Sequence, residues 1–281
     1  MNDEAWIRLS IFVGVLAVMV VWEWLAPRRV LIQGYRRWPA NLAIVVLNGL
    51  AVRLLIPAGA VGAAFWASEQ GWGLLTLVAL PSWASVLIAV ILLDLVIYLQ
   101  HLVVHAVPLL WRLHMVHHAD RDIDVTTGLR FHPVEILLSM IIKMTAVILI
   151  GAPALAVVVF EVILNGMAMF NHSNVRLPAA IDSIIRTLFV TPDMHRVHHS
   201  VIKRETNSNY GFNLSIWDRL FGTYTAQPEK GHIDMTIGLN QFQSAPTEQL
   251  IWMLRLPFDG QIGQYPMIKR RQRSEHGDGN E

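Results

Sequence analysis

Cysteine is absent from this chain of 281 residues, and that absence excludes a disulfide-stapled fold, a thiolate zinc site and a cysteine-ligated iron–sulfur cluster. Charge is scarce too, at 15% of residues, while 54% are hydrophobic. A disordered chain is excluded by that balance. A net charge of +1 removes any reason to expect a nucleic-acid partner. Two motifs are also missing. Without H-E-x-x-H there is no zincin ligand pair or general base, and without G-x-G-x-x-G there is no dinucleotide loop.

Polar interruptions are few. Arg8 is the one charge between Ala5 and Val21, Arg53 the one between Trp38 and Trp66, and Lys143 the one between Ile136 and Phe160. About twenty apolar residues cross a hydrocarbon core of about 30 Å, and these runs lack the polar face of a soluble core helix. The chain therefore reads as an all-α integral membrane protein with four or five membrane segments and a helical cytoplasmic cap. The first run is preceded by Asp3 and Glu4 and followed by Arg28, Arg29, Arg36 and Arg37. That pattern suits a retained anchor rather than a signal peptide, with the N-terminus outside and the first connection cytoplasmic. The second segment is expected at about 38–66, and the third at about 71–105 with a break at Pro81. The fourth and fifth, about 134–151 and 154–171, turn at Gly151-Ala152-Pro153 and cover about 25 Å each. Residues 173–260, with amphipathic stretches at 179–190 and 212–221, form the expected cap. Lys269–Glu281 reads as a polar, disordered tail.

The first hundred residues contain no histidine, yet ten of the twelve histidines fall between positions 101 and 199. His101 and His105 form H-x3-H. His114, His117 and His118 form H-x2-H-H, and His195, His198 and His199 repeat it. His132 and His172 stand singly. On a helix such spacings put the imidazoles of each cluster on one face. Pro108 ends one helix and opens another carrying Trp111–His118. Thr191, Pro192 and Asp193 supply an N-cap, a first helical position and an acidic first turn for the third cluster. Neutral imidazole ligates Zn, Fe, Cu and Ni. One tetrahedral zinc needs three or four ligands, so eight to ten histidines imply two metal ions. His232 and His276 read as ordinary structural histidines. Asp94 lies on the face of His101 and is expected to hold imidazole N–H groups. As transporter carboxylates, Asp94 and Glu161 are expected near segment edges, which argues against a path through the membrane.

Beyond the spacings, a succession of motifs resembles the fatty acid hydroxylase/sterol desaturase superfamily. It runs from Asp94 and Tyr98 into His101 and His105, then through Leu110-Trp111-Arg112 to His114, His117 and His118. Arg130, His132-Pro133 and Glu135 follow, then Asn171-His172-Ser173-Asn174, and Thr191-Pro192 leading to His195, His198 and His199. Asn209-Tyr210-Gly211 and Trp217-Asp218-Arg219 through Gly222-Thr223 close it, so the likeness covers about 94–224. The division implied is 1–93 as N-terminal transmembrane helices, 94–224 as the histidine-box domain and 225–281 as a C-terminal tail.

The resemblance implies a di-metal centre, taken as two iron ions, with O2 as co-substrate for hydroxylation or desaturation of a lipid. Its implied ligands are His101, His105, His114, His117, His118, His195, His198 and His199, with His172 as a ninth. Arg176 stands where some relatives have a second histidine. His132 stays open between a ligand and a group that supports one. Asn174 and Asn209 stay open between orienting ligands, binding water and serving their loops. Zinc can replace iron on purification. Electrons are expected from a separate cytoplasmic donor: a ferredoxin, a cytochrome or a reductase. The alternatives are a membrane metal transporter and a bis-histidine haem carrier.

Overall fold

The structure, a computed structural model, describes residues 3–268; the tail read at 269–281, and His276 with it, lies outside them. Among the described residues it is all-helical, with three isolated β-bridges and no strands. Apolar stretches long enough to cross a membrane lie within Gly34–Leu77, Ser82–Ala106, Pro133–Ile150 and Ala154–Asn171, and Leu9–Leu25 is a shorter apolar helix. It is a membrane protein.

Helix α1 spans Asp3–Leu25 and α2 spans Trp38–Leu55. The expected second segment is not one helix. Pro57 cannot continue α2, and the residue before it, Ile56, leaves helical geometry; α3 then runs Gly59–Glu69. The face of α3 carries Ala60, Ala63, Ala64 and Ala67, all buried, and these small side chains let it lie closely on α6 and α7. The expected third segment is also shorter than read. Helix α4 starts only at Ser82, after Pro81, and residues 71–81 form a loop with a 3-10 turn at Leu74–Leu77. That loop meets the turn after α6: Gly73 and Gly151 both have positive φ and touch so closely that a side chain on Gly73 would overlap the Gly151 backbone.

Helix α4 spans Ser82–Ala106, and Val107 takes the extended geometry that Pro108 imposes. Helix α5 follows at Pro108–His118. Helix α6 spans Pro133–Ile150, capped by His132 and ended by left-handed Gly151, and α7 spans Ala154–Asn171. These two helices pack on α3 and α4 more than on each other. Asp94 and Glu161 lie near the middle of α4 and α7, not at segment edges as expected: α4 begins eleven residues later than read, whereas α7 has the bounds read for it and Glu161 is mid-helix within them.

Beyond His172 come short helices: α8 (Ala179–Ile185), α9 (Pro192–His198), α10 (Lys203–Thr206), α11 (Ile216–Leu220), α12 (Gly231–Asp234) and α13 (Leu250–Arg255). They cover the end of the bundle where α4 and α7 finish and α6 begins. The connection from α1 to α2 is stitched to this same end. Arg28 pairs with Asp193 at 2.9 Å, and buried Arg37 pairs with Asp120 and Asp124, with Asp122 at 3.6 Å. The Asp122 carboxylate also accepts the backbone N–H groups of Ile32 and Gln33 at 2.7 Å. Arg28 and Arg37 are thus structural ties to the capped end.

Candidate metal centre

Helix spacing delivers the histidines. On α4, His101 and His105 continue the buried face of Asp94, Ile97 and Tyr98. On α5, His117 and His118 lie in the last turn, and His114 lies one turn before them. The start of α9 follows its expected signal: Thr191 Oγ1 accepts the Met194 N–H at 3.3 Å, with Pro192 next, and His195, His198 and His199 are all buried. His172 caps the C-terminus of α7.

Five imidazoles have their tautomer set by an oxygen at Nδ1. Tyr210 O faces His101 Nδ1 at 2.8 Å, Ser208 O faces His198 at 2.7 Å, and Ala168 O faces His172 at 2.8 Å. The Glu135 carboxylate accepts from His114 at 2.7 Å, and Asn207 Oδ1 faces His105 at 3.2 Å. The Asn207 amide is itself oriented, since its Nδ2 donates to Tyr265 O at 2.8 Å. A carbonyl or carboxylate oxygen only accepts, so each Nδ1 carries the hydrogen and each Nε2 presents a lone pair.

Those lone pairs converge. His101, His105, His114, His118 and His198 form one group, and His117, His172, His195 and His199 a second, the ligand atoms of each lying within 4.8 Å of one another. His172 Nε2 lies 3.0 Å from His117 Nε2 and 2.9 Å from His195 Nε2, and His105 Nε2 lies 3.1 Å from His118 Nε2. Nε2 of His101, His114 and His198, Nδ1 of His117, His118 and His195, and both nitrogens of His199 are buried with no protein partner. Buried polar atoms are nearly always satisfied, so the unpartnered Nε2 acceptors of His101, His114 and His198, gathered in one group, call for a bound cation. Burial, reinforced by neighbouring imidazoles, holds His117, His118, His195 and His199 well below the usual histidine range. Burial likewise brings His172 and His198 down to about 3. The donor set is neutral, all-nitrogen and convergent, and it fits two transition-metal ions.

All nine histidines expected as ligands are in these two groups. His132 is in neither: its Nδ1 accepts the Val134 N–H at 3.2 Å and its Nε2 faces Leu254 O at 3.2 Å, so it caps α6. Asp94 does not hold an imidazole. It accepts from Trp217 Nε1 at 2.8 Å and Leu214 N at 3.2 Å, because α11 and the chain before it cover that part of α4. Asn174 clamps the chain after α1, bonding the Arg29 backbone at 3.2 and 2.8 Å. Asn209, at φ 52°, ties Met194 O and Thr225 together and so braces α9. Sequence reasoning gave no role to Glu135, Asn207, Ser208 or Tyr210. For Glu135 the signal was its place in the first turn of a helix that starts beside the histidine clusters.

Next to the second group, Phe131 stacks on His117 with ring centroids 4.5 Å apart. Phe131, Leu129 and Ala168 form the near wall of a cavity of ≈ 610 Å³ that extends between α2, α4, α6 and α7. A bis-histidine haem needs two axial imidazoles, and nine in two groups do not suit it. Neither alternative drawn from the sequence is favoured.

The fatty acid hydroxylase family model matches residues 86–223. Among curated proteins, the ornithine lipid hydroxylase OlsE of Rhizobium tropici is 31% identical over 157 residues, 56% of this chain and 46% of that protein. The alkylglycerol monooxygenase of Homo sapiens is 30% identical over 165 residues, 58% of this chain and 35% of that protein, and its Xenopus tropicalis counterpart is 29% identical over 147 residues, 52% and 32%. The chain thus spans less than half the length of these relatives. No solved structure matches it.

Proposed function

Because residues 86–223 match the fatty acid hydroxylase family model, we propose that the chain is a membrane-bound, O2-dependent di-iron oxidoreductase that hydroxylates or desaturates a lipid. The observation that carries the reading is the pair of histidine groups beside a largely apolar, partly open cavity between membrane helices.

The nine histidines would hold the two irons, five in one group and four in the other. Bound iron supplies the power to activate O2 against an unactivated C–H bond. The balance for hydroxylation is R–H plus O2 plus two electrons and two protons, giving R–OH and water. The chain's own residues do the rest. Tyr210, Ser208, Ala168, Glu135 and Asn207 fix the tautomers, so the lone pairs face inward before any ion arrives. Phe131, Leu129 and Ala168 offer hydrocarbon a dry wall against the second group. Residues 1–93 are read as the lipid-facing helices, 94–224 as the catalytic domain and 225–281 as its tail. The capped end is read as cytoplasmic from the basic residues gathered there, and a separate ferredoxin, cytochrome or reductase delivers electrons to it.

The test is oxidation in membranes containing the protein, under isotopically labelled O2 with an added electron donor. Label in a lipid hydroxyl, absent with His198→Ala, supports a hydroxylase. New double bonds without label support a desaturase, and unchanged lipid under all donors contradicts both.

A further inference from the structure

The cavity beside the histidines is not apolar throughout. At its far end stand Arg53 of α2, Lys143 of α6, and Glu161 and Asn165 of α7. Lys143 Nζ donates to Glu161 Oε1 at 3.0 Å, with the two side chains 11% and 13% exposed. Arg53 is exposed and forms no ion pair among the described residues. Lys143 lies eight residues beyond Glu135 on α6, about 12 Å along the axis, and Glu161 lies eleven before His172, about 16 Å. The charges are therefore at membrane depth, separated from the histidines by the length of the cavity.

Ionisable groups inside a membrane are expensive, and they characteristically line substrate paths. A merely structural ion pair is a poor explanation here, because a buried pair gives little net stability over well-packed apolar side chains. This pair also bridges α6 and α7, helices that pack on α3 and α4 more than on each other, and it does so on the wall of the cavity. At this end two cations face one carboxylate, because Glu135, the other acid on the lining, lies at the histidine end and bonds His114; an excess of positive charge is left where the polar end of an amphipath would rest.

We propose that Lys143 and Arg53, with Glu161 holding Lys143 in place, form the seat for an anionic headgroup, a carboxylate or a phosphate, of the lipid whose chain runs to Phe131 and the histidines. The inference rests on the lipid-oxidising reading of the site and specifies its substrate class. An anchored headgroup places the oxidised carbon well down the chain rather than beside the headgroup. A hydrocarbon tail without a charged end would gain nothing from the seat.

Binding tests this without turnover. Hexadecanoate, hexadecyl phosphate, hexadecanol and hexadecane are titrated into purified full-length protein in neutral detergent, read by displacement of a fluorescent fatty acid. The wild type is expected to bind one or both anions about tenfold more tightly than hexadecanol, equivalent to about 1.4 kcal/mol. Whichever anion binds more tightly identifies carboxylate or phosphate as the headgroup. Arg53→Gln should shrink the preference severalfold. The double variant Lys143→Met with Glu161→Gln, which removes both ends of that ion pair, should abolish it while thermal stability and metal content hold. Equal affinity for all four probes in the wild type, or full preference retained in the double variant, overturns the proposal. Tight, charge-selective binding without oxidation of any probe would count against the oxygenase reading alone. Oxidation without charge selectivity would count against the headgroup seat alone.

Discussion

Glu135 accepts the Nδ1 hydrogen of His114 at 2.7 Å, so the first turn of α6 sets the ring orientation on α5. Its other oxygen, Oε2, is buried with no protein partner. Groups that orient a metal-binding histidine commonly carry a factor of about 10 to 100 in affinity or activity. Glu135→Leu is expected to lower iron affinity of the five-histidine group by that factor, with Glu135→Gln milder because its amide oxygen still accepts. Competition with a chromogenic chelator measures it.

Gly128 lies against α7 where His172 leaves it. A side chain there would overlap the Ala168 carbonyl, the group that fixes the His172 tautomer, and would reach within about 3.1 Å of His172 Nδ1. Gly128→Ala is therefore expected to lower stability by about 1–3 kcal/mol, the usual range for overpacking. It should also weaken the four-histidine group selectively. Thermal unfolding in detergent and metal content per chain are the two readouts.

Buried Arg37 pairs with Asp120, Asp122 and Asp124 on the loop that follows the second histidine cluster. Arg37→Met leaves those carboxylates without their cation, a change of the kind that costs about 3–5 kcal/mol. Expression of folded protein should drop sharply. Arg36→Met, one residue away, should be nearly silent in the same assay.

The metal-free protein should lose stability on mild acidification. Burial lowers His172 and His198 to about 3, whereas unfolded imidazoles titrate near 6.5. Below about pH 6.5 the unfolded chain binds more protons, so stability falls as pH drops, by up to about 1.4 kcal/mol per pH unit for each such histidine. Above that pH these groups contribute no slope. Melting temperatures of chelated protein, flat at about pH 7 to 8 and falling towards pH 5, are the expected profile; a rise on acidification would contradict it.

The parts visible in the sequence were those with a local signature. Histidines at i, i+3 and i+4 had to share a helix face, and Pro108, Pro192 and Gly151 marked real boundaries. Hydropathy was blind to whether an apolar stretch was helical, so the loop at 71–81 and the independent helix α3 were merged into longer spans. The remaining relationships join distant residues. Arg37 and Asp120 are 83 positions apart, and Asp94 meets Trp217 rather than the histidine on its own helix face. Such pairs leave no period to read.

Counting ferrous ions tests the central claim most directly. Purified apoprotein titrated anaerobically with iron should take up about two ions per chain, set by two imidazole groups. His101→Ala with His198→Ala, and separately His117→Ala with His195→Ala, should each reduce uptake to about one ion and abolish lipid oxidation. Uptake of one ion or none by the wild type, or lipid oxidation surviving in either double variant, would contradict a di-metal oxygenase.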